Sequence, residues 1–362
     1  MRISLTKEEE SKVIKLLETK EENIAIASML NELCFSLEAF PELKNYISKS
    51  DKEVSEYFIE MIYQLFELDP SNNDNKRIID QYLSSAFSYK DVKEYNANPF
   101  KNNVNIKEKA VNHYNLHYLT YPKYSFFPLD DIKVDDKDYY KEYTKLSFFN
   151  EDYEYLTLSK NNNIWMCITP NEINTMKPHI DHAHGHVIAF GLGLGYFAYM
   201  VANKKEVQKV TIIERDEEII NLFKDNLLPL FKNRDKIEII SSDAFEYIKK
   251  DGLIHYDYAF FDLWHNAEDG LPMYLKIKEM KIYPETHFWI EESLIAMYRR
   301  CLLTVIEESL NHYSDDDYRK SKNAIDKVIN TIYFKTKNLK LNSYKEIYNL
   351  LSKESILKLI SK

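Results

Sequence analysis

Glycine is rare in this chain and is confined to one part of it. The 362 residues include 6 glycines, all between positions 185 and 270. Three of them, Gly191, Gly193 and Gly195, lie close together in the run VIAFGLGLGYFAYM. A chain that uses glycine so sparingly is expected to place it where the backbone needs a conformation that other residues resist. The segment 185–270 is therefore predicted to hold the special backbone geometry of the protein.

The alternation of elements around these glycines predicts the fold class. From residue 186 onward the predicted strands are, in order, HVIAF, KVTIIE, KIEIIS, YDYAFFD and THFWIEE, with helical stretches between them. Short apolar strands that alternate with helices indicate an α/β fold with a doubly wound, mostly parallel sheet.

The bulk composition favours a cytoplasmic protein of more than one domain. Hydrophobic residues make up 44% and charged residues 29% of a chain that exceeds the usual size of one core. The net charge of −10 disfavours nucleic acid as a partner, because an acidic surface repels phosphates. Three distant cysteines fit reduced thiols, and neither a signal peptide nor a membrane span is expected.

The amino-terminal part reads as helical. Apolar residues recur at helical spacing through residues 1–90. The run TKEE begins the first helix with a capping box, in which Thr6 caps the helix and Glu9 reaches back.

The middle of the chain reads differently. Residues 91–138 are tyrosine-rich and are predicted to be an irregular connection, and residues 141–168 are predicted to form a small antiparallel hairpin sheet. Thr169 and Pro170 have the residue types that begin a helix. After residue 294 the chain is predicted to be helical again.

These patterns divide the chain into four expected parts. They are a helical domain at 1–110, a connecting segment with the small antiparallel sheet at 111–168, a Rossmann-like cofactor-binding domain at 169–293 and a helical extension at 294–362.

Acidic residues follow the strands after the glycine run. Glu214 ends the second strand, roughly 20 residues past the glycines, where a carboxylate can accept both ribose hydroxyls of a nucleoside; the alternative is a solvated acid at the next helix start. Asp243 ends the third strand and is a candidate for the adenine amino group, beside the backbone N–H of Ala244, although it also suits a helix cap. Asp262 ends the fourth strand.

Together these features resemble the class I S-adenosylmethionine-dependent methyltransferase domain over residues 186–293. The upstream hairpin sheet and the run PNE are similar to the spermidine synthase family, whose Tyr-Gln-Glu signature stands at that place. The resemblance implies S-adenosylmethionine, or its decarboxylated form, as cofactor. The cofactor-binding residues it implies are Gly191, Gly193, Gly195, Glu214, Asp243, Ala244, Asn171 and Glu172.

The departures from that resemblance bear on the reaction. Spermidine synthases place an aspartate inside the glycine turn, where this chain has Leu194. Their Asp-Ser-Ser-Asp motif is here Asp262, Leu263, Trp264 and His265, so one acid remains. A polyamine needs several carboxylates to offset its desolvation, which counts against aminopropyl transfer. The closing antiparallel hairpin usual in class I methyltransferases is absent or replaced in the helical tail.

Methyl transfer requires an aligned acceptor and removal of its proton. Asp262 and His265 are the predicted catalytic residues, with a surface loop histidine as the alternative reading of His265. Trp264 is either a wall packed under the site or a platform on which a flat or cationic substrate stacks.

The sequence leaves several functions open. The favoured one is a methyltransferase acting on a small molecule or a protein; the others are aminopropyl transfer and a non-catalytic binding protein on the same scaffold. A homodimer is compatible with the sequence. The run HIDHAHGH, at 179–186, has histidines spaced for one helix face, but packing is preferred over a metal site because its last two histidines fall on the following loop and strand.

Overall fold

The computed structural model describes residues 1–36, 59, 62–63, 66–83, 86–317 and 323–361. The helices are α1 (Lys7–Ser36), α2 (Asn73–Ile78), α3 (Val92–Asn96), α4 (Pro99–Asn103), α5 (Pro170–His182), α6 (Tyr196–Ala202), α7 (Glu217–Asn226), α8 (Ala244–Asp251), α9 (Ala267–Lys278), α10 (Glu291–Leu310), α11 (Ala324–Thr336), α12 (Tyr344–Leu350) and α13 (Lys353–Ile360). The strands are β1 (Arg2–Ile3), β2 (Phe87–Tyr89), β3 (Lys109–Val111), β4 (Tyr114–Tyr121), β5 (Phe127–Pro128), β6 (Lys133–Asp135), β7 (Lys141–Tyr143), β8 (Leu146–Phe148), β9 (Tyr153–Lys160), β10 (Asn163–Cys167), β11 (Gly185–Phe190), β12 (Val207–Glu214), β13 (Ile237–Ser241), β14 (Tyr258–Phe261), β15 (Glu285–Phe288) and β16 (Lys340–Leu341). The α/β class predicted from the sequence is confirmed.

A parallel sheet forms the centre of the protein. Its strands are ordered β13-β12-β11-β14-β15, and every neighbouring pair is parallel. All four residues of β14 and the last four of β11 are buried, as expected for strands covered on both faces. The chain reverses its direction of travel across the sheet between β11 and β14. Ligands of open α/β sheets bind at such a point, outside the carboxyl ends of the strands.

An antiparallel sheet, ordered β10-β9-β4-β3, shares the main apolar core with the central sheet. The β9–β10 hairpin agrees with the sequence prediction, but β4 lies in the segment predicted to be irregular, so that prediction is wrong for 109–121. The eight residues of β4 pair along their length with β9, from Tyr114 opposite Lys160 to Tyr121 opposite Tyr153. Short helices α3 and α4 precede it in the same segment. We call this sheet the hairpin sheet.

The residues before the hairpin pair elsewhere, which corrects the predicted sheet over 141–168. Strand β7 pairs with β6, and β8 pairs with β2 and β5. The cause is a second apolar cluster, in which Leu146 and Phe148 pack with Ile26 and Leu30 of α1. Strand β2 also interrupts the predicted helical stretch before residue 90.

The first helix begins as predicted. The backbone N–H of Thr6 donates to the Glu9 carboxylate at 3.1 Å, and the Glu9 N–H donates to the Thr6 hydroxyl at 3.4 Å. The helical prediction for 37–58 lies outside the described residues. The four-part division of the chain stays a prediction, although one apolar core runs from Val13 in α1 to Ile360 in α13.

The carboxyl-terminal segment is mainly helical, as predicted, and returns to the amino terminus. Strand β16 pairs in parallel with β1. Within the described part of the chain, β15 is an edge of the central sheet and leads into α10, with no antiparallel hairpin beside it. Of the helices described, none is long and apolar enough to cross a lipid bilayer.

Helix α5 is fixed at both ends, which matters because it carries Glu172. The Thr169 hydroxyl accepts the backbone N–H of Glu172, with Pro170 in the first turn, as predicted. At the other end the ammonium of Lys204 donates to the carbonyls of Ile180, Asp181 and Ala183 at 2.6, 2.6 and 2.7 Å. One cation thus satisfies three carbonyls that the helix leaves without partners.

Replacing Lys204 with methionine should destabilise the protein. The variant keeps the aliphatic stem but leaves these carbonyls without their donor, so we expect a loss of about 2–3 kcal/mol. Chemical denaturation measures it. The exposed neighbour offers a control, Lys205→Met, which should change stability by less than about 0.5 kcal/mol. Equal effects of the two substitutions would contradict the capping role.

Candidate cofactor and acceptor site

The glycine turn after β11 has the backbone geometry that its sequence predicts. Gly191, Gly193 and Gly195 have φ angles of +100°, +54° and +77°. A Cβ on Gly191 would lie 2.0 Å from the carbonyl oxygen of Asp262, and one on Gly195 would lie 2.2 Å from the Phe223 ring. A Cβ on Gly193 would meet no atom within 4 Å. The outer two glycines therefore serve close packing, and Gly193 faces the open side of the turn.

Glu214 is held against this turn. One oxygen of its carboxylate accepts the backbone N–H of Leu192 at 3.2 Å. The other accepts the N–H groups of Arg215 and Asp216 at 2.7 and 2.9 Å. The carboxylate therefore lies between the ends of β11 and β12, which is where a ribose-binding acid of this fold is expected. Leu194, which stands where spermidine synthases have an acid, is buried.

Asp243 caps helix α8. Its carboxylate accepts the N–H groups of Phe245 and Glu246 at 2.9 and 3.1 Å, and Ala244, the first residue of the helix, is buried. The sequence suggested two compatible roles for Asp243. These hydrogen bonds confirm its role as a helix cap, whereas its contact with adenine stays a prediction.

Two carboxyl groups interact beside the glycine turn. Asp262 follows β14, and its N–H donates to the carbonyl of Phe190 at 2.9 Å. Burial raises the pKa of Asp262 to about 7. Burial, and then the charge of Asp262, raise the pKa of Glu172 well above its ordinary value. Both residues keep part of their surface accessible, so they line a recess rather than a sealed core.

This pair forms because α5 begins directly after the hairpin sheet and brings Glu172 to the carboxyl edge of the central sheet. The neighbouring Asn171 uses its backbone carbonyl to accept the Thr175 hydroxyl at 2.8 Å. Two carboxylates in one recess repel each other, so the pair retains a proton at a pH where isolated carboxyls are ionised. Such a pair can hold or accept a proton near neutral pH.

Trp264 lies under the site as a packed wall. It is 4% exposed, and its ring is stacked at a centroid distance of 6.5 Å on Phe288. A Cβ on Gly270 would lie 2.6 Å from the indole, so this glycine gives the ring its space. The sequence left two interpretations of Trp264, a packed wall and a stacking platform. The burial of its side chain favours the packed wall.

His265 lies on the rim of the site. Its side chain is 58% exposed, and Nδ1 lies 3.2 Å from a carboxylate oxygen of Asp269. Asp269 also accepts the N–H groups of His265 and Asn266 and completes a capping box with Asn266 at the start of α9. The imidazole therefore has a fixed acidic partner in the loop after β14.

The sequence analysis missed the residues that the hairpin sheet contributes to this rim. The Lys160 ammonium lies 3.6 Å from Asp216, whose carboxylate also accepts the Tyr114 hydroxyl at 3.0 Å. The Trp165 ring meets the His265 ring nearly edge-on at 5.1 Å. An aromatic residue within an alternating strand was the one available signal for Trp165, and it did not reveal the contact with a loop 100 residues away.

The histidine-rich run lies at the opposite, amino-terminal edge of the central sheet. The His179 ring packs on Phe260 and against His287, at 4.9 and 5.7 Å, and His287 stacks on Tyr258 at 4.7 Å. His182 lies 6.1 Å from His287. No cluster of three or more histidine, cysteine or acidic side chains suited to a metal ion occurs in the described ranges.

Comparison with known proteins relates this chain to solved structures alone. No protein-family model matches the sequence, and no curated protein matches it either. Spermidine synthase from Thermotoga maritima is similar at 14% identity over 41% of this chain and 59% of that chain, with a TM-score of 0.29. Precorrin-8W decarboxylase from Methanobacterium thermoautotrophicum shares 22% identity over 33% of this chain and 62% of that one, with a TM-score of 0.26.

A candidate caffeoyl-CoA O-methyltransferase from Staphylococcus aureus is also similar, at 24% identity over 24% of this chain and 40% of that chain, with a TM-score of 0.20. The aligned parts span less than two thirds of each of these three proteins. At these identities and TM-scores the similarities do not show that this chain shares an activity with any of these proteins.

The partly buried His179 should make the stability of the protein depend on pH. Burial, with help from His287 and His182, lowers its pKa from 6.5 to about 4. The unfolded chain therefore binds more protons between these values, and stability is lost as the pH falls through that window, on the order of 3 kcal/mol in all. Denaturant titrations of the wild type and His179→Phe from pH 7.5 to 4.5 measure the effect.

The His179→Phe variant should lose less stability on acidification than the wild type. The exposed His186 provides the control, since His186→Gln should keep the wild-type slope. Parallel pH profiles for His179→Phe and the wild type would contradict the assignment.

Proposed function

We propose that this protein is an S-adenosylmethionine-binding transferase, and that its reaction is methyl transfer to an oxygen or nitrogen of an acceptor. The observation that carries the proposal is the set of groups around one sheet edge: a glycine turn with an open side at Gly193, the Glu214 carboxylate bonded to that turn, and Asp262 directly beneath Gly191. We expect a small-molecule or protein acceptor and a cytoplasmic location.

The residues at this edge fit the proposed cofactor. The open space at Gly193 accommodates a ligand against the backbone, and Glu214 can exchange its bond to the Leu192 N–H for ribose hydroxyls. When bound, S-adenosylmethionine supplies a methyl group made electrophilic by its sulfonium. The protein has to align the acceptor, exclude water and take its proton.

Asp262 is the proposed base. Its pKa of about 7 means that its carboxylate can accept a proton from an acceptor O–H or N–H near neutral pH. Burial and the charge of Asp262 raise the pKa of Glu172, which is proposed to orient the acceptor through its own protonated carboxyl. His265, paired with Asp269, is the proposed route by which the proton reaches solvent, since its side chain is mostly exposed.

Aminopropyl transfer from decarboxylated S-adenosylmethionine is the second candidate. The Glu172–Asp262 pair favours it, because an ammonium acceptor would be attracted to such a recess. The buried Leu194 and Trp264 count against it, since they remove acids where a polyamine would need them. A non-catalytic binding protein on the same scaffold is the outcome if ligands bind but no group is transferred.

Calorimetry tests the cofactor assignment without knowledge of the acceptor. S-adenosylmethionine and S-adenosylhomocysteine should bind, and a preference for methylthioadenosine over S-adenosylhomocysteine would instead favour aminopropyl transfer. Glu214→Gln should weaken binding roughly a hundredfold, because two hydrogen bonds to a charged carboxylate are lost. Glu238→Gln, in the exposed part of β13, is the matched control. Unchanged affinity in Glu214→Gln would disprove the ribose assignment.

A second measurement tests Asp262. Its carboxyl ionises as the pH rises through about 7, so the cationic S-adenosylmethionine should gain affinity relative to S-adenosylhomocysteine by about tenfold between pH 6 and 8. Both ligands carry the same amino acid group, so their affinity ratio isolates the sulfonium. The gain should vanish in Asp262→Asn and persist in Asp235→Asn, which removes an exposed acid.

The same affinity ratio, measured in a Glu172 variant, tests the role of Glu172. In Glu172→Gln a neutral amide replaces a carboxyl that is still protonated when Asp262 ionises, so the midpoint of the affinity change should stay near pH 7. A ratio that is independent of pH in the wild type would place Asp262 away from the sulfonium and end its role as base.

A further inference from the structure

The chain has three tryptophans, and they have different environments. Trp264 and Trp289 are 4% and 6% exposed and belong to the main apolar core. Trp165 is 36% exposed, although it lies at the centre of contacts between the hairpin sheet and the acceptor side of the site. An indole that is held in place and still open to solvent is available to a ligand.

A local irregularity of the hairpin sheet aims Trp165 at the site. Asn163 pairs with Lys160 and Ile164 with Ser159, but Met166 pairs with Leu158, so the register shifts around Trp165. Such bulges bend an edge strand and redirect the side chain of the extra residue. The redirected indole lies on the Lys160 side of the sheet, whereas Ile164 points to the opposite side.

Contacts fix the indole from two directions. The Lys160 ammonium lies 5.0 Å from the ring centroid, and Lys160 is itself tied to Asp216 on the loop after β12. The His265 ring meets the indole edge-on at 5.1 Å, from the loop after β14. His265 is in turn fixed by Asp269. The indole therefore bridges the loops that follow two different strands of the central sheet, and it needs little rearrangement on binding.

The surrounding charges indicate the kind of group that would stack there. A cation already lies over the ring, so a second cation would be repelled from it. An uncharged aromatic ring would gain stacking on the exposed third of the indole. A hydroxyl on that ring would supply the proton that Asp262, the proposed base, can take.

We infer that Trp165 is a specificity-determining residue of the acceptor site, and that it selects a flat, hydroxylated aromatic acceptor over an aliphatic amine. The inference rests on the proposed function and deepens it. It assigns the stacking role to Trp165 on the hairpin sheet, since Trp264 is packed in the core.

The test uses the whole protein labelled with 5-fluorotryptophan, whose three ¹⁹F resonances are assigned by Trp→Phe substitutions. With S-adenosylhomocysteine bound, catechol should shift the Trp165 resonance in a saturable manner and leave those of Trp264 and Trp289 unchanged. Putrescine, the aliphatic diamine, should not shift it. Dissociation constants for catechol are then read from the titration in each variant, using the resonances or calorimetry.

Trp165→Ala should weaken catechol binding roughly tenfold, as expected for one aromatic contact, and Trp165→Phe should recover most of it. Affinity for S-adenosylhomocysteine should stay within about twofold in both variants, because Trp165 acts on the acceptor side. Ile164→Ala removes an even more exposed apolar side chain from the other face of the same strand and should leave catechol binding unchanged.

Three results would overturn the inference. Wild-type catechol affinity in Trp165→Ala excludes a stacking role, and a saturable shift by putrescine instead of catechol reverses the selectivity. Equal loss in Ile164→Ala and Trp165→Ala, together with a change in sedimentation, would show that this edge pairs two copies of the chain. Failure of S-adenosylhomocysteine to bind would instead reject the proposed function, so the two failures are distinguishable.

Discussion

The close approach of the backbone at Gly191 to Asp262 determines how the site is built. Strands β11 and β14 are neighbours, and a side chain at 191 would collide with the Asp262 carbonyl at 2.0 Å. The contact therefore requires glycine, and it places the proposed base directly under the proposed cofactor turn. Glu214 then joins the same turn from β12 through the Leu192 N–H. The proposed cofactor side and the proposed acceptor side therefore share one junction, and the sheet fixes the distance between them.

The electrostatic character of the recess comes from Glu172 and Asp262 together. Neither carboxyl has a cation as the main influence on its pKa, and burial raises both values. A recess that holds a shared proton at neutral pH suits a step in which a proton must leave an acceptor. It is expected to bind a dication less well than a site with both acids of the Asp-Ser-Ser-Asp motif and the acid of the glycine turn, since one negative charge cannot offset two ammonium groups. This difference is the physical basis for preferring methyl transfer to aminopropyl transfer.

The sequence predicts the central sheet well, because parallel strands read as continuous apolar runs. The roles of the acids that follow these strands stay predictions. Strand β4 escaped prediction because YNLHYLTY has large side chains toward both faces, with Tyr114 and Leu116 in the main core and Tyr121 against a separate cluster. The resemblance suggested a site role for Glu172, but its pairing with Asp262 was not predicted. Trp165 was missed because its role depends on a bulge and on a distant loop.

The two sides of the site are encoded in different parts of the chain. The proposed cofactor contacts come from loops after β11, β12 and β13, whereas Lys160, Trp165 and Glu172 lie on one continuous segment from β9 to α5. That segment is stiff, because β9 is paired on both edges and α5 is capped at both ends. Groups on such elements are held more precisely than groups on loops. Substitutions of Lys160 or Trp165 are therefore expected to change the proposed acceptor selection while the glycine turn stays intact.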